Sequence, residues 1–299
     1  MGRSHPVGLQ RPLTLKWMSF EYILLSVMKI QEPCRACLKG LIEKTVLLSG
    51  GDGRILNSSL RLLNGLFVEG ATPPAIAGTL LAHIRQTTGV WDPYATIKYR
   101  EYREALKIIE GLGGSPGDSL EDVLRLSALG NSTDYFTGGS FRQDHLVLRG
   151  DMDKLADAIY TKGNEILILG DNMGDFIFDL PLVRFLEKEG KRVFYAVREH
   201  PAQNDLSMED VRRLGLTDMH PRIISTGKAN VGLPREDIAG EIERLWKSDA
   251  PVIAKGMGNF ETISEFDEER QVVYIMKVKC PAVARALDSD IGTYLVHVR

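Results

Sequence analysis

Hydrophobic residues in the first half of the chain recur at the spacing of an α-helix. Between residues 34 and 150, apolar positions three and four apart mark one face of successive segments, and residues 55–68 form a clear amphipathic example. The pair Pro73-Pro74 is typical of a helix start, and Gly89 is typical of a helix end. Because no clear strand interrupts these segments, the pattern predicts an all-helical first half.

Short β-branched and aliphatic runs alternate with amphipathic segments after Asp151. The predicted strands are residues 166–169, 193–197, 222–225, 252–254 and 272–278. The predicted helices between them are residues 176–187, 207–214, 235–246 and 260–266. Strand–helix alternation at this spacing predicts βαβ units and a parallel sheet. The predicted fold class is therefore α/β, with a Rossmann-like three-layer parallel-sheet domain at residues 151–299 and an all-helical N-terminal domain at residues 1–150.

The composition is that of an ordinary soluble globular protein. The chain has 299 residues, of which 43% are hydrophobic and 26% are charged, and this length favours two domains. A net charge of −3 argues against a nucleic-acid-binding surface, which usually lies in a basic domain. We therefore expect a small molecule as partner and no nucleic acid. The oligomeric state is left open by the sequence.

An apolar segment near the start, residues 17–28, does not qualify as a membrane span. Glu21 interrupts it, and it falls short of the roughly 20 apolar residues that a spanning helix needs. A signal peptide would need a small-residue cleavage site after this run, and residues 30–33 supply none. We expect a cytoplasmic protein with no membrane partner, in which residues 1–27 are a candidate extension outside the core fold.

Two adjacent side chains with oxygen donors, Asp171 and Asn172, follow the first predicted strand. Such groups cannot lie unpaired inside a buried strand, so we expect them at its carboxyl end, where parallel sheets bind their ligands. The loops after the other strands are also polar and include Asp205 and Lys255. Because carboxylate and amide oxygens suit Mg²⁺ or Mn²⁺, the sequence predicts a metal site formed by Asp171, Asn172 and Asp205.

A lysine and a glycine-rich turn at the fourth strand end predict an anion site. Lys255 can contact a phosphoryl oxygen, and the turn from Gly256 to Asn259 can donate backbone N–H groups. Each feature also has a simpler interpretation, since an Asp-Asn pair after a strand is more often a helix cap or a turn. Their coincidence at one predicted sheet edge favours a phosphate site beside a metal.

The same segments resemble the metal-dependent damage-control phosphatase family, which was long known only as a domain of unknown function. The matching segments are Asp171-Asn172-Met173-Gly174-Asp175 with Asp179, Asn204-Asp205, Ser225-Thr226-Gly227 and residues 254–262. The resemblance spans the chain from about Met28 onward. Residues 129–134 resemble the family's Gly-Asn-x-x-Asp segment, and residues 34–37 resemble its Cys-x-x-Cys subgroup.

The resemblance implies a phosphatase that hydrolyses phosphate monoesters of small metabolites, such as sugar phosphates or damaged phosphorylated metabolites. It implies a divalent cation, Mg²⁺, Mn²⁺, Co²⁺ or Ni²⁺, bound by Asp171, Asn172 and Asp205. The catalytic residues it implies are Asp171, Asp205 and Lys255. The substrate-binding residues it implies are Asn131, Asp134, Lys255, Gly256 and Asn259. At position 175 the family pattern has Glu, and this chain has the shorter Asp.

The sequence does not identify the nucleophile of the reaction. A water made more acidic by the cation would be oriented or deprotonated by Asp205 or Asp175, and Asp171 is itself a candidate covalent nucleophile. A phosphatase of the haloacid dehalogenase type is disfavoured, because it needs Asp-x-Asp at the strand end and Met173 occupies the third position.

Cys34, Cys37 and Cys280 form a candidate thiol site. Three thiols are one ligand short of a closed zinc site, and a Cys-x-x-Cys at a helix start is typical of redox activity. A role as small buried hydrophobic residues, or as a structural disulfide in a heat-adapted organism, is favoured over both. The alternative function is therefore a non-catalytic protein that binds a phosphorylated metabolite or a metal and uses Cys-x-x-Cys as a redox or zinc switch. Lys277 and Lys279 are interpreted as a solvated face.

Overall fold

The computed structural model describes residues 28–112, 119–132, 147–266 and 270–299 of the chain. In these ranges the fold is mixed α/β, with eleven α-helices and one seven-stranded sheet. The predicted α/β class is confirmed. The candidate extension at residues 1–27 and the predicted substrate contact Asp134 lie outside the described residues. No helix in the described ranges is both long and apolar enough to span a bilayer.

Five helices precede the sheet. They are α1 (Glu32–Leu48), α2 (Gly53–Leu66), α3 (Pro73–Thr88), α4 (Ala95–Gly111) and α5 (Leu120–Gly130). Local sequence sets their ends. The Asp52 side chain accepts hydrogen bonds from the backbone of Arg54 and Ile55 at the start of α2. Gly89 ends α3 with a φ of 71°, in the left-handed region that favours glycine.

One sheet carries the second half of the fold. Its strands are β1 (Leu148–Gly150), β2 (Glu165–Leu169), β3 (Arg192–Val197), β4 (Ile223–Ser225), β5 (Val252–Lys255), β6 (Val272–Lys277) and β7 (Tyr294–Val298). Their order across the sheet is β1-β7-β6-β5-β2-β3-β4. Strands β2 to β6 pair in parallel, whereas β7 is antiparallel to β6 and parallel to β1. These five parallel strands correspond to the five that the sequence predicts.

Six helices connect or follow the strands. They are α6 (Met152–Thr161), α7 (Met173–Lys188), α8 (Met208–Leu214), α9 (Gly240–Lys247), α10 (Gly256–Ile263) and α11 (Pro281–Ala286). The helix predicted at residues 260–266 begins earlier, at Gly256. The helix predicted at residues 235–246 begins at Gly240, after a 3₁₀ turn at Arg235–Asp237. Four elements were not predicted from the sequence, namely β1, β7, α6 and α11.

Alternate strand residues bury their side chains on opposite faces of the sheet. Ile166 and Ile168 of β2 belong to a core shared with α4 to α8, whereas Leu167 and Leu169 belong to a core shared with α9 to α11. Helices α1 to α3 and the start of α4 form a third core. Because β2, β3 and β5 are parallel neighbours, their carboxyl ends and the loops that follow lie side by side.

Candidate active site

Asp171 and Asn172 lie between the end of β2 and the start of α7. Asn172 occupies the N-cap position of α7. The backbone N–H of Leu206 donates to the carbonyl oxygen of Asp171 at 3.0 Å, and Asn172 forms an isolated antiparallel bridge with Asp205. The structure therefore brings Asp205 beside the Asp171-Asn172 pair, from the loop after the neighbouring strand β3.

The Asp171 carboxylate is packed between an amide and a glycine. Its Oδ2 accepts a hydrogen bond from Asn131 Nδ2 at 2.9 Å. A Cβ atom at residue 256 would lie 1.9 Å from the same oxygen, so only glycine leaves room for the carboxylate there. Burial raises the pKa of Asp171 well above its ordinary value, and the charges of Asp205 and Asp175 raise this pKa further.

Arg198 fixes the position of the Asp205 carboxylate. Arg198 Nε donates to Asp205 Oδ2 at 2.9 Å, and the two side chains are only 2% and 6% exposed. The remaining guanidinium nitrogens donate to the carbonyl oxygen of Gly232 at 2.7 Å and to Asn259 Oδ1 at 3.3 Å. A guanidinium anchored at three points gives Asp205 a defined orientation at the cleft.

Lys255 lies behind the acidic residues, and its side chain is completely buried. Its ammonium is 2.5 Å from Asp179 Oδ1, 2.9 Å from the carbonyl oxygen of Ser127 and 3.8 Å from Asp175 Oδ1. Asp175 and Asp179 lie one turn apart on α7, so the helix presents both carboxylates to this cation. These three partners occupy the Lys255 ammonium in this structure, and its contact with a phosphate stays a prediction.

Asn131, Gly256 and Asn259, which the sequence analysis placed at the substrate, are also buried behind the cleft wall. Asn131 contacts Asp171, as described above. Asn259 Nδ2 donates to the carbonyl oxygen of Gly170 at 3.1 Å, and so ties the turn after β2 to α10. The amide groups of Asn131 and Asn259 bind partners behind the cleft wall, and a substrate contact by any of the three residues stays a prediction.

A cleft of about 360 Å³ opens in front of Asp171, Asn172 and Asp205. Its other walls come from α1, α3, α10 and the segment after β6. Two charged residues in it were missed by the sequence analysis, Lys279 and Glu261. Lys279 was interpreted as part of a solvated face, but its charge lowers the pKa of Asp171. Its position just after a strand parallel to β5 is the sequence signal that points to this edge.

The three cysteines line the same cleft. Cys34 is buried, Cys280 is half-buried and Cys37 is exposed, and no disulfide joins these three described residues. Burial raises the pKa of Cys34 and the pKa of Cys280, so both are neutral thiols at pH 7. In the described ranges, no three His, Cys, Asp or Glu side chains are arranged to hold a metal ion. A zinc or redox role for the thiols stays a prediction.

The residues at the head of the cleft fit a divalent cation. Asp171 and Asp205 contribute carboxylates, and the third donor, Asn172, is an amide. Within the part of the chain that the structure covers, Asn172 Nδ2 and Asp175 Oδ1 are buried without a hydrogen-bond partner. Burial raises the pKa of Asp175 to about 6. A cation would be bound by the oxygen of this amide and would offset the charge of the clustered carboxylates.

Comparison with known proteins gives the class to which this site belongs. Residues 31–295 match the model of the damage-control phosphatase ARMT1-like domain. The chain belongs to this family of damage-control phosphatases, and the resemblance seen in the sequence is confirmed.

Named relatives match most of the chain. The chain is 31% identical over 278 residues to the damage-control phosphatase PH1575 of Pyrococcus horikoshii, a match that covers 87% of this chain and 94% of that protein. It is 23% identical over 291 residues to a damage-control phosphatase of Archaeoglobus fulgidus, with 91% and 99% covered. The crystal structure of PH1575, a DUF89 family protein, superposes with a TM-score of 0.78 at 28% identity and covers 90% of this chain and 98% of that one.

Proposed function

We propose that the protein is a metal-dependent hydrolase of phosphate monoesters that acts on small phosphorylated metabolites. The observation that carries this proposal is the meeting of Asp171, Asn172 and Asp205 at one cleft, with Lys279 in the same cleft. Two carboxylates and an amide suit Mg²⁺ or Mn²⁺, and the ammonium suits a phosphate. The relatives that carry the name damage-control phosphatase support the same class of reaction.

In this proposal Asp171, Asn172 and Asp205 bind one divalent cation, Mg²⁺, Mn²⁺, Co²⁺ or Ni²⁺. When bound, such a cation polarises a phosphoryl oxygen and makes a coordinated water more acidic. The protein prepares the ligands in advance, because Arg198 orients the Asp205 carboxylate and Asn131 orients the Asp171 carboxylate. Ligands that are already oriented lose little conformational freedom when the cation binds.

We assign the phosphate contact to Lys279 rather than to Lys255. Lys279 lines the cleft together with Asp171, whereas the Lys255 ammonium is enclosed by Asp179 and the carbonyl oxygen of Ser127. An ammonium beside the transferring group offsets the negative charge on its equatorial oxygens, and this is the main contribution a protein makes to phosphoryl transfer.

We assign the orientation of the attacking water to Asp205 rather than to Asp175. Asp205 lines the cleft, whereas the Asp175 side chain is completely buried behind Asp171. Arg198 occupies Oδ2 of Asp205. The Asp205 carboxylate, held in this orientation, can accept a hydrogen bond from a water that approaches phosphorus.

We also propose that the molecule is organised as the helical domain at residues 1–150 and the Rossmann-like three-layer domain at residues 151–299. The separate core of α1 to α3 and the helices on both faces of the sheet support this division. Helices α4 and α5 share a core with the sheet, so they would join the two domains.

A second candidate is a non-catalytic binding protein with a thiol switch, of the Cys-x-x-Cys subgroup. Its support is that Cys34, Cys37 and Cys280 line the cleft that would hold the ligand. Zinc analysis of protein purified under reducing conditions, with Cys34→Ser as control, tests the thiol role directly.

Hydrolysis of a chromogenic phosphate ester separates the two candidates. Protein stripped of metal with a chelator is assayed alone and after addition of each of the four cations. We expect turnover that depends on the cation in the wild type and in Asp157→Asn, an exposed control, and no turnover in Asp171→Ala. Tight cation binding without turnover of the chromogenic ester, of sugar phosphates or of phosphate monoesters with apolar bodies would favour the binding protein.

A further inference from the structure

Glu261 lies on the cleft wall at some distance from the acidic end of the cleft, which is formed by Asp171 and Asp205. It belongs to α10, whose first residue, Gly256, packs against Asp171. The five steps from residue 256 to residue 261, at about 1.5 Å per residue, place Glu261 about 7–8 Å further along the helix axis. At this distance from Gly256, the Glu261 carboxylate can contact the organic part of a molecule whose phosphate lies near Asp171.

The surroundings of Glu261 in the cleft are mostly apolar. We call these residues the apolar wall; they include Pro33, Leu38, Leu41, Pro74, Met257 and Ala282. The thiols of Cys34 and Cys280 lie in the same part of the cleft, and burial and the charge of Glu261 raise the pKa of both. A surface of this kind favours carbon chains and leaves several hydroxyl groups of a sugar unsatisfied.

The Glu261 carboxylate has no hydrogen-bond partner among the described residues, and burial raises the pKa of Glu261 to about 7. A partly buried carboxylate without a donor costs stability, in contrast to Asp205, which has Arg198. Such a cost is expected where a ligand supplies the missing donor, since the group then binds at full strength.

We propose that Glu261 recognises the organic part of the substrate by accepting a hydrogen bond from a hydroxyl group or a protonated amine, while the apolar wall packs against its carbon chain. The substrate class is then a phosphate monoester with a mainly apolar body and a donor a few bonds from the phosphate. This inference rests on the proposed function only for the placement of the phosphate group near Asp171.

Alkylphosphonates test this proposal without hydrolysis, because their carbon–phosphorus bond is not a substrate bond for a phosphatase. Calorimetry in the presence of Mn²⁺ gives the dissociation constants of plain alkylphosphonates and of their terminal hydroxy and amino derivatives with two to six carbons. We expect one chain length at which a derivative binds about tenfold tighter than the plain chain, the strength of one hydrogen bond to a charged group.

Two variants of Glu261 test whether this carboxylate causes the tighter binding of the hydroxy and amino derivatives. Glu261→Gln keeps an acceptor, so it should retain the hydroxy preference and lose most of the amino preference. Glu261→Leu should lose both and still bind the plain chains as the wild type does. Glu69→Gln, an exposed control, should behave as the wild type. Thermal unfolding confirms that each variant is folded. If Glu261→Leu does not fold, Glu261→Gln by itself tests the amino preference.

The proposal is overturned if no derivative binds better than its plain chain, if no phosphonate binds at all, or if the preference survives in Glu261→Leu. Hydrolysis of the corresponding phosphate esters is measured separately. A preference in phosphonate binding without any ester hydrolysis would remove the proposed function and leave the role of Glu261 intact. Hydrolysis of the esters without any preference in phosphonate binding would keep the proposed function and remove the role of Glu261.

Discussion

The carboxylate of Asp171 lies directly against the Cα atom of Gly256. A Cβ atom at residue 256 would fall 1.9 Å from Asp171 Oδ2, and the φ of Gly256 is +75°. Two independent constraints, space and backbone conformation, therefore require glycine at this position. The turn that begins α10 thus sets where the first predicted metal ligand can lie.

Gly256→Ala should abolish most of the activity, because the new methyl group displaces the Asp171 carboxylate. We expect a loss of stability of about 1–3 kcal/mol from crowding in addition to about 1 kcal/mol from the positive φ. Gly190→Ala is the matched control, since Gly190 has a φ of +82° and open space around it. Enzyme assays and urea unfolding of both variants measure the difference. Equal activity in the two variants would contradict the crowding argument.

Asp171→Asn should separate stability from function. Because burial and the charges of Asp205 and Asp175 raise the pKa of Asp171, its ionised form is unfavourable in the metal-free protein. Removal of this charge should stabilise the metal-free protein by about 1–3 kcal/mol and lower kcat by more than about 100-fold. Urea unfolding with and without Mn²⁺ checks both, since Mn²⁺ should stabilise the wild type much more than the variant. A variant less stable than the wild type without metal would argue against a strained acidic cluster.

Lys255→Met should destabilise the protein by about 3–5 kcal/mol, because it leaves the Asp179 and Asp175 carboxylates buried without their cation. Addition of Asp179→Asn to this variant should restore part of the stability. Lys107→Met, an exposed control, should change little. Denaturant unfolding provides the measurement. Lost phosphate affinity with unchanged stability would instead favour the direct phosphate contact that the sequence predicts.

Glu261→Gln should stabilise the protein more at pH 8 than at pH 5. Burial raises the pKa of Glu261 from 4.5 to about 7, so the native state favours the protonated form. The wild type therefore loses stability as the pH rises from 4.5 through 7, and the neutral Gln does not. The gain from the substitution should grow by up to about 3 kcal/mol across this interval. Unfolding curves at the two pH values decide, and an equal effect at both would show that the carboxyl is well hydrated.

The parallel part of the sheet was predictable because its strands are continuous apolar runs. Val252–Lys255 and Val272–Lys277 are buried along most of their length and carry a strong signal. Tyr294–Val298 is only partly buried, and Leu148–Gly150 has three residues, so neither carries such a signal. Their place in the sheet depends on pairing with distant strands, which a local pattern does not contain.

The site was predictable where its residues follow strands, and it was not predictable where helices pack over the sheet edge. The meeting of Asp171, Asn172 and Asp205 follows from strand order alone. The burial of Lys255 depends on Asp179, which lies on another element. A carboxylate pair one turn apart on a nearly all-apolar helix was the available signal for a buried cation. The cleft walls from α1 and α3 come from long-range packing that no local pattern specifies.

The insertion of β7 between β6 and β1 affects how the protein matures on the ribosome. The backbone N–H of Lys277 donates to Asn131 Oδ1, and these residues are 146 positions apart. At about 5–20 residues per second, the partner of Asn131 is synthesised about 7–30 s later. Until then Asn131 Oδ1 lacks this donor, and β1 has no strand to join until β7 is synthesised. A nascent chain therefore cannot complete its sheet before β7 has left the ribosome, because β7 is the strand that joins β1 to β6.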